Sequence, residues 1–436
     1  MSAATAILYQ GLFQHLKNLL ESPEFQSRHR QRPQDFTRQR CLTFVVVVWF
    51  LLNLLKRALQ DELDEFFKTV DGTDLAVRVV SKSALSQARL KLKYEAFVEL
   101  NQAQVGYFYS QFAPQRWQGF RLMAVDGSMA ELPNTPALCE HFGVWHPAAG
   151  GTCPKARLSQ LFDVLNQVTV DALILPKSVG EREAAARHFA QVQRGDLVLL
   201  DRGYPAFWLF ARILAQEADF CVRFKCGGWR VVEAFVASGC PEQLVTLEPS
   251  AEAQAECQAQ GLSTAPLTLR LLRIELASGV VEVLGTSLLD GVRYPYALFQ
   301  ELYHERWPVE EDYKVMKSRI EVENWSGTSV VAIYQDFHAK VFTKNLTAIV
   351  AHPMQAVVAQ ASQGKRYRYR PNRTQALSKM KDSVVLLLQR ANPLPLLKQL
   401  WQLLLQTTEP VRPGRAYPRK KRVQRRRFSM NYKPIR

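Results

Sequence analysis

No CxxC pair occurs in this sequence, and its seven cysteines (41, 139, 153, 221, 226, 240 and 257) form an odd, scattered set. That argues against a disulfide framework and for reduced thiols. Cys139, His141, His146 and Cys153 bring metal-binding residue types together, yet their order and gaps match none of the common zinc spacings. There is no GxxxxGK[ST] loop, which excludes a P-loop for nucleotide phosphates. No apolar run reaches the ~20 residues of a membrane span. The longest, Leu42 to Leu55 (LTFVVVVWFLLNLL), contains Asn53 and reads as a buried helix. The first residues lack a basic region leading into an apolar core and a small-residue cleavage site, so no signal peptide is expected. Acid is also scarce: 40 Asp and Glu stand against 56 Lys and Arg, a net charge of +16. That balance points to a polyanionic partner, nucleic acid or an anionic membrane surface.

Residues 1 to about 116 read as all-helical. After the apolar run, Leu59 to Val70 keeps helical spacing, and Asp71-Gly72-Thr73-Asp74 breaks it. A third helix is expected from Ser81 or Ser83 through SKSALSQARLKLKYEAFVEL, carrying Lys82, Gln87, Arg89, Lys91 and Lys93. A turn and then a basic helix is compatible with a helix-turn-helix-like DNA reader, and equally with an ordinary surface helix. From residue 121 the pattern changes. Short apolar strands (121–125, 156–165, 168–175, 196–200, 220–224) alternate with helices at 181–192 and 206–218, the mark of an α/β domain. Residues 227–290 read as β-rich, with runs at 229–235, 243–247, 267–276 and 280–284 around a polar loop or short helix at 250–260. Helices follow at 330–360, expected to pack back on the sheet, at 374–390 and at 394–406. Residues 412–436 then hold eleven Lys and Arg and no acid; without them the net charge would be +5. A second run, Lys365 to Arg373 (KRYRYRPNR), interleaves Tyr with Arg, a pattern in which rings stack on bases or sugars while Arg binds phosphate.

Two apolar strands stop at an aspartate with a glycine just beyond: Asp126-Gly127 and Asp201-Arg202-Gly203. Ligands of open α/β sheets bind at the carboxyl ends of strands, although a lone Asp there is commonly a turn former. A third acid comes from Tyr303 to Lys317 (YHERWPVEEDYKVMK). On one helix counted from Tyr303, Arg306 falls at about 300°, Glu310 at about 340° and Lys317 at about 320°. Such a stripe either faces water, with Glu310 and Lys314 as an i,i+4 pair, or lines a site that handles charge. Pro308 suits the first turn of a helix, which sets Glu310 near its positive end and kinks Tyr303 and Arg306 out of the stripe. Three close carboxylates repel unless a cation sits between them. Mg²⁺ or Mn²⁺ takes oxygen ligands and leaves room for phosphate oxygens, and two such ions serve phosphoryl transfer.

The run Tyr303-x2-Arg306-x3-Glu310-x6-Lys317 resembles the Y-(2)-R-(3)-E-(6)-K signature of bacterial insertion-sequence DDE transposases, the insertion-sequence-4 family. VDGS at 125–128 and LDRGY at 200–204 are similar to its first and second Asp blocks. HFG at 141–143, ARLSQLFDVLN at 156–166 and the QDELDEFF stretch extend the resemblance over most of the chain. It implies an α/β fold: an RNase H-like catalytic domain at 117–345 with a β-rich insertion at 227–290. A helical DNA-binding domain (1–116) would precede it, and C-terminal helices with a basic tail (346–436) would follow.

By the same resemblance, Asp126, Asp201 and Glu310 are catalytic and bind Mg²⁺ (or Mn²⁺). Tyr303, Arg306 and Lys317 contact DNA phosphates near the scissile bond, and Arg202 beside Asp201 is a further phosphate contact. Trp307 matches a tryptophan that helps hold a flipped base, a role shared with an aromatic of the insertion, for which Trp229 is the candidate; a packed core aromatic is the other reading of Trp307. The implied activity is cut-and-paste transposition. Metal-activated water nicks the element's end, the freed 3′-OH attacks the opposite strand to give a hairpin, and the reopened 3′-OH joins target DNA. The partners are double-stranded DNA, at terminal inverted repeats and target, and a second copy in the synaptic complex. No membrane is involved, and the setting is the bacterial cytoplasm at the nucleoid. Two rivals stand: an RNase H-fold nuclease that cuts without joining, and a DNA-binding protein that has lost catalysis.

Overall fold

The computed structural model describes residues 3–145, 153–275, 279–412, 428 and 433. The chain forms two compact units, each built from separate pieces of sequence. One comprises Gln115–Met129 and Ala156–Tyr313, the other Met1–Pro114, Ala130–Lys155 and Lys314–Arg436.

The first of these is a sheet with helices. Its strands include β1 (Arg121–Glu131), and, after the two-residue β2 (Val144–Trp145), β3 (Cys153–Asp163), β4 (Val168–Leu175), β5 (Asp196–Leu200), β6 (Asp219–Phe224), β7 (Glu242–Leu247), β8 (Leu267–Glu275) and β9 (Val281–Thr286). The order is β3-β1-β5-β6-β9-β8-β7, with β4 beside β3. Strands β1, β5 and β6 run parallel, whereas β6–β9, β9–β8, β8–β7 and β3–β4 are antiparallel. Every residue of β5 is buried, as a parallel strand covered on both faces requires. A bidentate ion pair locks its register: Arg121 Nε and Nη2 donate to Asp196 Oδ1 and Oδ2 at 2.6 and 2.7 Å. Both side chains are buried, so a slip of one residue would strand two charges in the core.

The run 229–235, read above as a strand, is a helix, Arg230–Ser238. Its β-branched residues suggest a strand, but only Val232 and Phe235 are buried, one helical turn apart, and Gly239 ends the helix in a left-handed cap.

The second unit is mainly helical. Its axis is Val330–Ala361, 32 residues long and buried on most of its circumference. It lies against Phe44–Leu52, Glu95–Gln111, Arg373–Gln389 and Leu394–Gln406 of its own unit. The helix expected from residue 81 onward is two. Ser81 caps Lys82–Arg89, and Glu95–Gln111 follows. Between them Lys93 N–H donates to His29 O and Gln31 N–H to Lys91 O, both at 2.8 Å, so pairing with residues 29–31 replaces the helical bonds. Helices Leu59–Asp71 and Lys82–Arg89 are ten residues apart, too far for a tight helix-turn-helix. Arg89 is also no DNA reader. It is 3% exposed and donates to Gln335 Oε1, Ser326 Oγ, Ala332 O and Asp336 Oδ1 at 2.8–3.2 Å.

Candidate active site

The paired register of β1 and β5 runs Leu122 with Leu197, Met123 with Val198 and Ala124 with Leu199. Asp126 and Asp201 each lie two residues beyond the last of these pairs: Asp201 follows the end of β5, whereas β1, expected to stop at Val125, runs on through Asp126 to Glu131. Burial switches at this point: Leu122 to Val125 are fully buried and Asp126 is not. Tyr313 Oη donates to the main-chain carbonyl of Asp126 at 3.0 Å. A Cβ on Gly127 would stand 3.4 Å from Leu158 O, in ordinary contact with the neighbouring strand.

Tyr303 to Lys317 is not one helix. Tyr296–His304 ends at Glu305, and Trp307–Ser318 begins beyond it, with Pro308 in its first turn. The break nevertheless brings the polar residues together. Arg306 Nη2 donates to Glu310 Oε1. The guanidinium lies 5.9 Å from the centre of the Tyr303 ring. Tyr303 Oη stands 3.5 Å from Asp201 Oδ1, the outer limit of a hydrogen bond. Asp201 Oδ1 also accepts from the Arg202 main-chain N–H at 2.7 Å, while the Arg202 side chain is exposed. The acids thus meet through Tyr303 and Arg306, which is only 7% exposed.

Their charges interact. Burial pushes Asp126 up to about 6, and the nearby Glu310 and Asp201 add to that; the Gly127 N–H and Arg306 oppose it. Burial likewise raises the Tyr204 phenol, reinforced by Asp126, Glu181 and Asp201. Among the described residues, no group of three or more His, Cys, Asp and Glu side chains is gathered tightly enough to hold a metal ion. Glu310 is tied to Arg306, and like charges keep the carboxylates from converging by themselves. Asp126, Asp201 and Glu310 still supply the all-oxygen, anionic donor set that a hard divalent cation takes.

Trp307 is 50% exposed, with its indole N–H donating to Glu311 Oε1 at 3.1 Å, so it is not a core aromatic. It lines a cavity of about 180 Å³ with Phe299, Tyr303, Leu284 and the Arg223–Glu282 ion pair. Trp229 is not in this wall; its ring packs edge-on against Phe224. Lys317 falls in the helical unit, where burial lowers its ammonium pKa, Glu323 and Glu131 oppose the shift, and Lys155 adds to it. In the same unit, His141 Nε2 bonds the Tyr334 hydroxyl and Cys139 bonds Asn134, while His146 lies outside the described residues.

The residues missed above are Arg157 and Glu181. Arg157 Nη1 donates to Glu181 Oε1 at 2.9 Å. Glu181 stands 4.0 Å from a Cβ built on Gly127 and 3.8 Å from one on Gly203, beside the glycines that follow the two aspartates. Its helix is moored by His188, which bonds Ser159 Oγ at 2.9 Å and Asp171 Oδ2 at 2.7 Å. That Ser-His-Asp set is no hydrolase: Ser159 and His188 are 2% and 0% exposed, so no substrate reaches the hydroxyl.

The family model described as "Transposase DDE domain" matches residues 117–346, more than half the chain. The chain belongs to the DDE transposase family. Two relatives from Escherichia coli K12 agree with this DDE assignment. "Transposase InsG for insertion sequence element IS4" is 24% identical over 289 residues, covering 65% of this chain and 64% of the relative. "Putative transposase InsZ" is 23% identical over 176 residues, covering 38% of this chain and 55% of the relative. The chain thus spans less than two thirds of the length of these relatives. A piggyBac transposase synaptic complex with hairpin DNA, solved by cryo-EM, has a TM-score of 0.46 and 10% identity over 90% of this chain and 84% of that one, a likeness too distant to bear on this DDE protein's function. No helix among the described residues is long and apolar enough to cross a membrane.

Proposed function

We propose that this DDE protein cuts an insertion sequence at its terminal inverted repeats and joins the 3′-OH ends to target DNA. The observation that carries the reading is that Asp126 feels the charges of both Asp201 and Glu310, in a chain of the DDE transposase family. The order β4-β3-β1-β5-β6, with β1, β5 and β6 parallel, supports an RNase H-like core. Asp126, Asp201 and Glu310 would hold Mg²⁺ or Mn²⁺. The bound ions would neutralise charge and activate the attacking oxygen.

The chain's own groups supply the rest. Arg306 and Tyr303, beside Asp201 and Glu310, would orient the phosphodiester; Arg202 and Lys317 would add phosphate contacts. Arg306 now neutralises Glu310, and a phosphate competing for the guanidinium would free that carboxylate. Trp307 and its cavity suit a base turned out of a hairpin end, with a ring to stack on. The helical and basic segments would hold the inverted repeats, and synapsis of two ends would need a second copy.

The test is cleavage and strand transfer on DNA carrying the element's ends, with Mg²⁺. Asp126→Ala, Asp201→Ala and Glu310→Gln should each lose at least about a thousandfold, several kcal/mol of barrier, while still binding DNA. Parent-like cleavage by any of the three would sink its assignment as a metal ligand. Cleavage without joined products would favour a nuclease.

A further inference from the structure

The Lys365 to Arg373 run lies on a two-stranded ribbon of the helical unit. Strand β10 (Arg368–Pro371) pairs antiparallel with β11 (Thr408–Val411), Arg368 facing Val411 and Arg370 facing Glu409. Alternation sorts the run: Arg366, Arg368 and Arg370 are exposed, and Tyr367 and Tyr369 are half-buried. The two tyrosine rings are thus partly open to solvent. Each is covered by cations. The Tyr367 ring is approached by Arg366 at 5.2 Å and by Arg412 at 5.8 Å, and Tyr369 by Lys365 at 5.2 Å. A guanidinium held over a ring loses less freedom when it meets an anion. Of the exposed arginines, Arg370 pairs with Glu409 at 2.8 Å. No carboxylate pairs with Arg366, Arg368 or Arg412 among the described residues.

We propose that this ribbon is a docking surface for the phosphate backbone of duplex DNA, with Arg366, Arg368 and Arg412 as the contacts, Tyr367 as the ring that presents two of them, and Glu409 limiting their number. The proposal rests on the DNA-handling reading above and adds where, and by which groups, sequence-independent contact is made. Arg366 and Arg412 are held over the Tyr367 ring and Arg368 opens β10 beside them, so the ribbon offers a compact cluster of cations to a phosphate backbone. The exposed positions of the ribbon are mainly arginines, with Val411 beside Arg368 and no side-chain amide among them to read base edges, so the contact proposed is to phosphate and not to sequence.

The experiment uses the full chain, without divalent metal, binding a duplex of random sequence across a salt series. Each phosphate contact contributes about 0.9 to the slope of log K against log[salt]. The triple variant Arg366→Gln, Arg368→Gln, Arg412→Gln should flatten the slope by about 2–3. Glu409→Gln frees Arg370 and should steepen it by up to about 0.9. Tyr367→Leu should weaken binding, and Tyr367→Phe should not. If the triple variant misfolds by circular dichroism, Glu409→Gln and the Tyr367 pair carry the test. Unchanged slopes overturn the proposal, as does binding to phosphatidylserine vesicles without binding to duplex. Cleavage of inverted-repeat DNA by the parent is scored separately: its failure beside altered slopes would sink the transposase reading and leave the ribbon standing.

Discussion

Two groups of buried charge in this molecule are built in opposite ways. In the helical unit, Asp336 accepts from Arg89, from the Ser326 hydroxyl and from the Ser326 N–H. Burial alone would raise its carboxyl, and these partners with Lys340 hold it below the usual value. Lys340 itself donates to the carbonyls of Glu321, Val322 and Asn324. Arg89 and Asp336 there complement each other, whereas burial still pulls Lys340 down to about 8 against the field of Asp336. In the acid cluster, Asp126 has no complement of equal strength. Its neighbours Glu310 and Asp201 repel it, and its carboxyl is pushed up to about 6. Complete pairing makes a strut; incomplete pairing leaves a demand for positive charge, which stability alone would not select.

Truncating the strut should have the largest effect on stability. Asp336→Ala leaves Arg89 buried without its carboxylate and should cost about 3–5 kcal/mol in denaturant unfolding. Arg89→Met with Asp336→Leu should recover part of that loss, since neither member of the pair is left charged alone, although Lys340 loses the favourable field of Asp336. A double variant as unstable as the single one would mean that the contrast between the two regions is not one of charge pairing.

The acid cluster should respond with the opposite sign. A carboxyl with a raised folded pKa binds more protons folded than unfolded between 3.8 and about 6, so it penalises the fold as pH rises through that window and above it. In metal-free buffer, Asp126→Asn should therefore be more stable than the parent at neutral pH, by about 1–3 kcal/mol after solvent screening. The gain should vanish below about pH 4, where both states are protonated. Equal stability across that range would remove the case for an unmet charge at Asp126.

The smallest effect on folding should come from Trp307→Ala. A half-exposed ring on a surface pair should change stability by no more than about 0.5 kcal/mol. Transposition of hairpin-forming ends should fall all the same. If the melting curve drops as for Asp336→Ala, the ring is core rather than site.

Part of the candidate site was legible because the buried stretches of β1 and β5 show in composition, although β1 runs on to Glu131 past the aspartate expected to end it. Leu122–Val125 and Leu197–Leu200 are unbroken apolar runs, each stopped by an aspartate near a glycine. Helical phase was a poorer guide to Tyr303 and Arg306. They reach Glu310 through a break at Glu305, where the chain turns rather than continues. Arg157 and Glu181 left no mark, because an ion pair between a strand and a helix 24 residues on depends on how the two elements pack. Trp229 to Phe235 misled for the reverse reason: β-branched residues fit a strand, but burial at i and i+3 chose a helix. The Arg–Tyr run showed its alternation openly and hid its faces, since only the pairing with 408–411 decides which ring meets which cation.

The helical unit draws on distant stretches of chain, and this has a consequence for its synthesis. The apolar helix Phe44–Leu52 is finished early, yet Thr343 Oγ1, which bonds Leu52 O, lies 291 residues further along. At roughly 5–20 residues per second, a nascent chain waits roughly 15–60 s between making that greasy segment and making the helix that covers it. Throughout that interval Phe44, Val47, Trp49 and Phe50 have no native shelter from Val330–Ala361, and chaperones have their longest opportunity to bind there.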